Sequence, residues 1–275
     1  MRYIFIIISI IALIFYYHDF REQRAEAVFF NVGQGDSFLL HTPGGLNVLI
    51  DGGPDWSALY GLGRYLKHYG EKIDLMILSH GHSDHLSALP ELAARYRVDN
   101  VFLPAGLSGY EAEALLSALA GQGSSVFYPQ SYSCFDLEDS CRLCLYPPEK
   151  KFLKSDDAND FSLAFDFVCA GFSLAGAGDA SGEREKDLLS RGFPPPVQVL
   201  KASHHGSATA NSDGFVDSAN PSALIISVGP NNYGHPNPKL INSAVAKGVY
   251  TWRTDQQGDV LFYANNNKLY IEKPW

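Results

Sequence analysis

The feature that most constrains this chain is a short polar segment that directly follows the apolar residues 75–78. It reads SHGHSDH over residues 79–85 and places His80, His82, Asp84 and His85 within six positions. Imidazole and carboxylate ligands together suit zinc, manganese or iron, whereas calcium prefers oxygen ligands alone. The alternative is a polar turn that holds three of the chain's nine histidines without a role. The pattern predicts a metal site at the end of a buried strand.

Two other apolar segments end in residues of the same kind. Asp179 follows the small-residue segment 174–178, and by itself it is equally well explained as the N-cap of a helix after Ser181. His204 and His205 follow the apolar segment 197–201. A histidine pair is commonly a polar surface turn, but its position after an apolar strand favours metal ligands. Together these segments predict one site built from several strand ends.

The chain alternates predicted strands and helices, and no internal repeat or low-complexity linker divides it. Strands are predicted at residues 27–32, 37–41, 47–50, 75–78, 101–103, 143–146, 162–167, 172–176, 197–201, 223–228, 249–252, 260–263 and 269–271. Helices are predicted at residues 57–69, 88–97, 111–119, 183–190 and 238–247. Two mixed β-sheets with helices outside would bury such strands on both faces, which predicts one α/β (α+β) domain over residues 28–275.

Composition excludes several classes of protein. With 275 residues, 46% of them hydrophobic and 19% charged, the chain can bury a large core and is not disordered. A mean hydropathy of −0.08 and a single long apolar run exclude a polytopic membrane protein. The chain has 21 basic and 30 acidic residues, which give a net charge of −9. This balance argues against a broad basic surface for duplex nucleic acid.

The exception to this composition is the start of the chain. Residues 3–17 are apolar apart from Ser9 and follow Arg2. As a helix this run would rise about 22 Å, which is short of the bilayer's hydrocarbon core. Residues 25–27 read AEA, a signal-peptidase-like site, but charged residues separate them from the apolar run. Residues 1–27 are therefore predicted to be a signal peptide or an uncleaved membrane anchor. Either would export the body to the periplasm, the extracellular space or the outer face of the cytoplasmic membrane.

Export changes the interpretation of the four cysteines. In an oxidising compartment, a disulfide among Cys134, Cys141 and Cys144 is expected. These three residues could instead belong to a zinc site, although no fourth ligand lies nearby in the sequence. Cys169 lies in an apolar segment and could be a plain core thiol. None of the four is predicted to be catalytic.

Taken together, these patterns resemble the metallo-β-lactamase superfamily and, more narrowly, the C-terminal hydrolase domain of the ComEC-type DNA-uptake channel. The matching segments are, in chain order, FNVGQGDS (30–37), LIDGG (49–53), SHGHSDH (79–85), GD (178–179), HHGS (204–207), ISVG (226–229), NYGHP (232–236) and RTDQQG (253–258). The resemblance implies a four-layer αββα sandwich with two divalent metal ions, zinc or manganese. Asp179 would be the bridging ligand.

Ligand counting then divides the donors between two metals. His80 and His82 would hold one ion, Asp84, His85 and His205 the other, and Asp179 would bridge them. Two metals lower the pKa of a shared water, which then acts as the nucleophile of a phosphodiester hydrolysis.

Three residues are assigned to catalysis. Asp84 serves as a ligand in the reacting centre, and His204 would bind a phosphate oxygen or protonate the leaving group. His235 would reach the same pocket, or it is a turn histidine without a role. Asp51 is predicted to orient a ligand histidine, and Tyr233 is a weak candidate for stacking on substrate.

Two departures from the resembled pattern matter. Many superfamily enzymes carry a histidine between the first motif and the bridging aspartate, but no histidine occurs over residues 91–202. Asn159 stands there, as in the ComEC-like subgroup, so one metal site would be short of a strong ligand. The chain also lacks the many membrane helices that a DNA channel needs. It therefore resembles one domain of that protein in free-standing form.

The function predicted from the sequence is hydrolysis of a phosphodiester, with single-stranded DNA as the leading substrate by resemblance. The net charge favours a smaller phosphodiester, since a long strand needs a basic track. Lys201 is the only basic residue near a motif, and the short basic segment around Lys150 lies elsewhere. Other possibilities are a non-catalytic metal-binding module and a β-lactam or lactone hydrolase. No protein partner is predicted, and a membrane would be contacted only through residues 3–17.

Overall fold

The computed structural model describes residues 24–69, 72–155 and 157–273. The apolar run 3–17 lies outside these ranges, as does most of the predicted leader 1–27, so the leader and domain boundary stay predictions. Within the described ranges, every helix is too short or too polar to cross a membrane.

Strands make up most of the regular structure. They are β1 (Glu26–Phe29), β2 (Phe38–His41), β3 (Asn47–Ile50), β4 (Lys72–Ile77), β5 (Arg97–Phe102), β6 (Ser125–Phe127), β7 (Ser133–Glu138), β8 (Cys141–Tyr146), β9 (Ala164–Cys169), β10 (Phe172–Gly176), β11 (Val199–Lys201), β12 (Ala223–Ile226), β13 (Tyr250–Arg253), β14 (Val260–Asn265) and β15 (Lys268–Glu272). The α-helices are α1 (Ser57–Tyr69), α2 (Ser83–Leu86), α3 (Leu89–Arg95), α4 (Tyr110–Gln122), α5 (Gly182–Ser190), α6 (Asp213–Ala219), α7 (Pro238–Ala246) and α8 (Thr254–Gln257).

The strands form two mixed sheets in the described part of the chain. The first has eight strands in the order β15-β14-β1-β2-β3-β4-β5-β6, and the second has seven in the order β13-β12-β11-β10-β9-β8-β7. In the first sheet β3, β4, β5 and β6 run parallel, and in the second β10, β11, β12 and β13 do so. The remaining neighbours are antiparallel.

The inner strands β1, β2 and β3 of the first sheet and β11 and β12 of the second are buried along their whole length. In β2, Phe38 and Leu40 point into the core between the sheets, whereas Leu39 points to the outer face. Helices α1, α3 and α4 cover that outer face, with Leu62 and Leu92 in the buried layer. Helices α5, α6 and α7 cover the second sheet in the same way.

These layers confirm the predicted αββα sandwich of two mixed sheets with helices outside. The predicted strands and helices all appear, and 47–50, 172–176 and the helix 57–69 have the predicted bounds. The prediction missed β6, β7 and the short helices α2, α6 and α8. Strands β6 and β7 lie at sheet edges, where half-exposed residues such as Phe127 interrupt the apolar pattern. Helix α6 has only seven residues, too few for a clear helical period.

Two disulfides connect three neighbouring strands at the edge of the second sheet. Cys134 on β7 is bonded to Cys144 on β8, as expected for a pair among the first three cysteines. Cys141 on β8 is bonded to Cys169 on β9. The prediction of Cys169 as a core thiol was therefore wrong, because its apolar strand lies beside a cysteine-bearing strand. No cysteine in the described chain is free, which also rules out the alternative of a zinc site.

Candidate metal centre

The parallel strands of both sheets end at one edge of the sandwich, and the predicted ligands follow these ends. Asp84, His85, Asp179 and His205 come together there, and we term them the Asp–His cluster. One ligand atom from each lies within 4.8 Å of the others. His205 Nε2 lies 3.1 Å from Asp84 Oδ2 and 3.3 Å from Asp179 Oδ2. His85 Nε2 lies 3.3 Å from Asp179 Oδ1. Segments after β4, β10 and β11 thus supply two imidazoles and two carboxylates to one point.

The backbone around the cluster adopts conformations that few side chains favour. Asp51, His204 and His205 have φ values of 57°, 49° and 52°, all in the left-handed region. Each such residue costs about 1–3 kcal/mol and persists where the surrounding structure fixes it. The turn after β11 is therefore strained at the two histidines, and this strain accompanies the position of His205 in the cluster.

Neighbouring groups fix the orientation of both cluster histidines. His85 Nδ1 lies 2.8 Å from Asp51 Oδ2, and Asp51 also accepts hydrogen bonds from the Ser79 backbone N–H and hydroxyl at 2.7 Å each. His205 Nδ1 lies 2.9 Å from the Ser227 carbonyl oxygen. In both rings this leaves Nε2 facing Asp179. Asp51 thus occupies the orienting position predicted for it.

His80 and His82 lie beside the cluster as a separate pair. His80 Nε2 is 3.0 Å from His82 Nδ1, and the His80 ring centre is 4.2 Å from that of His85. Among the described residues, neither histidine falls in a compact group of three or more ligands. In the described chain, the two histidines of the predicted first metal site therefore form no compact ligand group with the predicted bridging residue Asp179.

Asn159, which stands in the sequence between the first motif and Asp179, lies on the turn Ala158–Phe161. It is buried, and its Oδ1 has no hydrogen-bond partner in the part of the chain that the structure describes. The turn ends at Ser162, whose hydroxyl accepts from the Asp179 N–H at 3.1 Å. Asn159 is thus three positions in sequence before Ser162, which is hydrogen-bonded to the cluster residue Asp179.

The two remaining predicted catalytic histidines border the cluster. His204 Nε2 lies 3.9 Å from Asp179 Oδ2, and the His204 side chain is 28% exposed, so it can meet a ligand from solvent. The His235 ring centre is 5.2 Å from that of His204. Asn231 holds the His235 loop, since its side chain donates to the Gly229 and His235 carbonyls and accepts from the His235 N–H. Tyr233 in this loop is exposed, with its ring 5.8 Å from His235.

Two charged residues beneath the cluster have no site role predicted from the sequence. Lys201 and Asp36 are both 1% exposed and form an ion pair. By sequence, Lys201 is only a basic residue near a motif, and Asp36 is only part of the first matching segment. A lysine inside an apolar strand is the one available signal, because such a residue is almost never buried without a partner.

Burial and charge oppose each other at the cluster. Burial disfavours charge on the histidines, but the carboxylates around them prevail: the pKa of His85 is raised well above its usual value, and that of His205 to about 9. Burial would raise the pKa of Asp179, yet His205 and His85 hold it well below its ordinary value. His80 behaves differently, since burial and the nearby His85 lower its pKa. The carboxylates thus draw positive charge into a buried site.

This donor set fits a divalent cation. Within the described chain, His85 Nε2 and Asp179 Oδ1 are buried atoms without a hydrogen-bond partner, although they face each other across 3.3 Å. A buried polar atom that lacks a partner is costly, and a cation between these atoms would satisfy both. Nitrogen and oxygen donors from histidine and aspartate suit zinc, manganese or iron.

Comparison with known sequences confirms the resemblance predicted from the motifs. Residues 30–107 match the family model described as "Metallo-beta-lactamase superfamily". The chain is 28% identical over 264 residues to ComE operon protein 3 of Bacillus subtilis (strain 168), covering 89% of this chain and 34% of that protein. It is 29% identical over 245 residues to competence protein ComA of Neisseria gonorrhoeae, covering 88% and 32%. The chain therefore spans about a third of the length of the curated relatives it matches.

Solved structures show the same fold at low sequence identity. The metallo-beta-lactamase fold protein YhfI from Bacillus subtilis superposes with a TM-score of 0.59 at 11% identity, covering 90% of this chain and 100% of that one. CmlA, a diiron beta-hydroxylase from Streptomyces venezuelae, gives 0.56 at 14% identity, with 87% and 54% covered. Zn(2+)-bound PqqB from Methylobacterium extorquens gives 0.53 at 10%, with 83% and 97% covered. These likenesses establish the fold, and chemistry must be argued from the site.

Proposed function

We propose that this chain is a metal-dependent hydrolase that cleaves phosphodiester bonds. One observation carries the proposal: Asp84, His85, Asp179 and His205 converge from three strand ends with their ligand atoms within 4.8 Å. The match to the metallo-β-lactamase superfamily over residues 30–107 supports it, since that match includes the segment with Asp84 and His85. His85 Nε2 and Asp179 Oδ1 lie 3.3 Å apart in the buried centre of this group, where a bound cation would contact both atoms.

The residues of the chain have separate tasks in this proposal. Asp84, His85, Asp179 and His205 would hold the principal ion, which when bound lowers the pKa of a water and takes up charge on phosphoryl oxygens. Asp51 holds the His85 ring so that Nε2 faces Asp179. His204 is partly exposed at the border of the cluster, where it can bind a phosphate oxygen or give a proton to the leaving group.

We further propose a second, weaker ion at His80 and His82, with Asp179 shared between the two sites. These histidines lie together beside the cluster, and the His80 ring approaches the His85 ring. Burial lowers the pKa of His80, which keeps its imidazole neutral and able to bind a metal. Because Asn159 stands where many related enzymes have a histidine, manganese is favoured over zinc at this position.

Single-stranded DNA is the proposed substrate, because the motifs resemble those of a DNA-uptake channel and a relative matched over 88% of this chain is a competence protein. A specific observation favours a second candidate, a small phosphodiester such as a nucleotide or a phosphorylcholine ester. The net charge of −9 argues against a broad basic track for a long anionic strand. The two candidates differ in what must bind outside the scissile phosphate, so one assay can separate them.

The proposed place of action is outside the cytoplasmic membrane, with residues 3–17 as an anchor if they are not removed. Two disulfides link β7, β8 and β9, and disulfides persist in oxidising compartments. The apolar run at residues 3–17 supplies the second argument.

The test uses the full 275-residue chain, purified in mild detergent, stripped of metal and reloaded with manganese or zinc. Its substrates are single-stranded DNA and bis(p-nitrophenyl) phosphate. Asp84→Ala removes a cluster ligand, and Asp136→Ala is the matched control, since Asp136 is exposed on the edge strand β7 and pairs with Arg142. We expect metal-dependent cleavage in the wild type and in Asp136→Ala, and its loss in Asp84→Ala.

The outcomes separate the candidates. Cleavage of DNA would support a nuclease, and cleavage of the small diester alone would support a small-substrate phosphodiesterase. Bound metal without cleavage of either substrate would contradict phosphodiester hydrolysis. It would favour hydrolysis of a β-lactam or a lactone, or metal binding without catalysis. A chain that binds no divalent ion would contradict the proposal as a whole.

A further inference from the structure

A buried ion pair lies directly beneath the Asp–His cluster. Asp36 belongs to the glycine-rich turn between β1 and β2, and Lys201 is the last residue of β11. Both side chains are 1% exposed, and the Lys201 ammonium contacts the Asp36 carboxylate. The Asp36 backbone N–H donates to the Asp84 carbonyl oxygen at 3.1 Å, so the turn is bonded to the ligand loop itself.

The Asp36 carboxylate faces both histidines of the cluster from behind. Its Oδ2 lies 3.7 Å from His85 Nδ1, and its Oδ1 lies 3.7 Å from His205 Nδ1. These nitrogens are on the ring edges opposite the Nε2 atoms that face Asp179. At 3.7 Å the contacts are too long for hydrogen bonds, but in a buried site a carboxylate still acts strongly on both rings. The Asp36 carboxylate thus acts electrostatically on both cluster imidazoles.

Lys201 supplies the positive partner of this carboxylate. A buried charge is costly unless it is paired, so the two side chains compensate each other's loss of hydration. The Lys201 ammonium also lies 3.5 Å from the Gly178 carbonyl oxygen and 4.0 Å from Asp179 Oδ1. It therefore connects Asp36 to the strand end that carries Asp179. Burial opposes a charged lysine, yet Asp36 and Asp179 raise its pKa above the usual value.

We infer that Asp36 and Lys201 are positioning residues of the metal centre, with Asp36 lying behind both cluster imidazoles and supporting them as metal donors, and Lys201 holding the Asp36 carboxylate in place. Carboxylates behind metal-binding histidines raise their basicity and fix their rings. This inference rests on the proposed function in so far as the cluster binds a divalent ion. It does not depend on which substrate is cleaved.

The test measures metal binding and not turnover. The full chain is prepared as Asp36→Asn, Lys201→Met and the double variant, each nearly equal in shape to the wild type. Cobalt(II) is the probe, since its visible spectrum reports the coordination geometry and its titration gives the dissociation constant. Arg184→Met is the matched control, because Arg184 is also fully buried and ion-paired but belongs to α5.

We expect each single variant to bind cobalt about ten- to a hundredfold more weakly and to change its spectrum. The double variant removes both buried charges, so its unfolding temperature should lie closer to the wild type than that of either single variant. Its cobalt affinity should stay low. Arg184→Met should lower the unfolding temperature and leave the cobalt spectrum and affinity unchanged.

A double variant that binds cobalt with wild-type affinity and spectrum would overturn the inference and make the pair a structural element only. The inference also fails if the single variants lose stability but not affinity. If the wild type binds cobalt yet cleaves neither phosphodiester, the proposed substrate class fails while the positioning role stands. If the wild type binds no cobalt, both proposals fail.

Discussion

Two regions of the molecule bury charged side chains: one at α5, which we term the α5 cluster, and one at the metal centre. They differ in their proportion of positive to negative side chains. Under α5, Arg184 donates to Asp187 at 2.6 Å and to the Tyr146 carbonyl at 2.6 Å, and Lys151 donates to the same aspartate at 2.8 Å. There, cations surround one carboxylate. In the metal centre the proportions are reversed, since Lys201 contacts Asp36 and lies 4.0 Å from Asp179, and two further carboxylates, those of Asp51 and Asp84, lie in the same two ligand groups.

In the α5 cluster, cations of the chain compensate the buried carboxylate, whereas in the metal centre the carboxylates outnumber the permanent cations. Asp187 has its positive partners within the chain, so its carboxylate needs no further cation. The metal centre has more buried carboxylates than permanent cations, and it draws protons onto His85 and His205, whose pKa values are raised. A divalent ion would replace those protons and satisfy the same carboxylates. The comparison therefore predicts that changes in one cluster affect chemistry and changes in the other affect stability.

The largest expected effect is on catalysis, from Asp179→Asn. Asp179 faces both cluster histidines and is the proposed shared ligand. Its loss should lower phosphodiester cleavage by about two to three orders of magnitude, as for removal of a group that stabilises developing charge. The measurement is the metal-dependent rate on bis(p-nitrophenyl) phosphate. Asp166→Asn is the control, because Asp166 is also buried but accepts its hydrogen bond from Tyr146. Equal losses of cleavage in both variants would show that the effect is not specific to the metal centre.

The second effect is on folding, from Arg184→Met. The change leaves the buried Asp187 with weaker compensation, and breaking a buried pair on one side costs about 3–5 kcal/mol. Urea unfolding of the metal-free chain measures this loss in the free energy of unfolding. Adding Asp187→Asn should recover part of it, since the uncompensated charge is then gone. A double variant as unstable as the single one would show that Arg184 acts through packing and not through its charge.

The sequence predicts those parts of the two clusters that depend on local patterns, and not those that depend on tertiary packing. The ligand-rich loop and the histidine pair stand at the ends of apolar segments, so the convergence of the candidate metal ligands was predictable from local patterns, as were the two mixed sheets. Asp36 and Lys201 were not, because their meeting depends on how the turn after β1 packs against β11 across the two sheets. Arg184 was equally invisible, since a charged residue in a polar helix is ordinarily exposed.

The cysteines illustrate the same limit. A pair among three nearby cysteines was predictable, but the partner of Cys169 depends on the order of strands in the second sheet. That order places Cys141 directly opposite Cys169. Register between strands that are distant in sequence is set by packing, and it leaves no local signal.

A third prediction concerns the weaker half of the metal centre. Asn159→His would add an imidazole to the proposed second site at His80 and His82, at a position where the buried Asn159 Oδ1 has no hydrogen-bond partner in the described chain. We expect the second ion to bind about tenfold more tightly, within the range seen when a metal site's ligand environment is altered. Calorimetric titration with manganese measures both sites separately. Unchanged binding of the second ion would place Asn159 outside the metal centre.

The smallest expected effect is a pair of opposite pH dependences in the free energy of unfolding. Burial alone would raise the pKa of Asp187, but the Lys151 hydrogen bond and the Arg184 charge lower it. A carboxyl whose pKa is lower when folded adds stability above its unfolded pKa, about 3.9, and loses it as the pH falls through the folded value. Asp166 differs, since burial raises its pKa although Tyr146 donates to it.

For Asp166 the sign reverses: its contribution is present at low pH and is lost as the pH rises through the raised pKa. Urea unfolding of the metal-free chain from about pH 3 to pH 7 should therefore change in opposite directions in two variants. Relative to the wild type, Asp187→Asn should flatten the loss of stability on the acidic side, and Asp166→Asn should flatten the loss as the pH rises. Parallel changes in both variants would mean that Lys151 and Arg184 do not set the pKa of Asp187, and the charge balance assigned to the α5 cluster would lose its electrostatic basis.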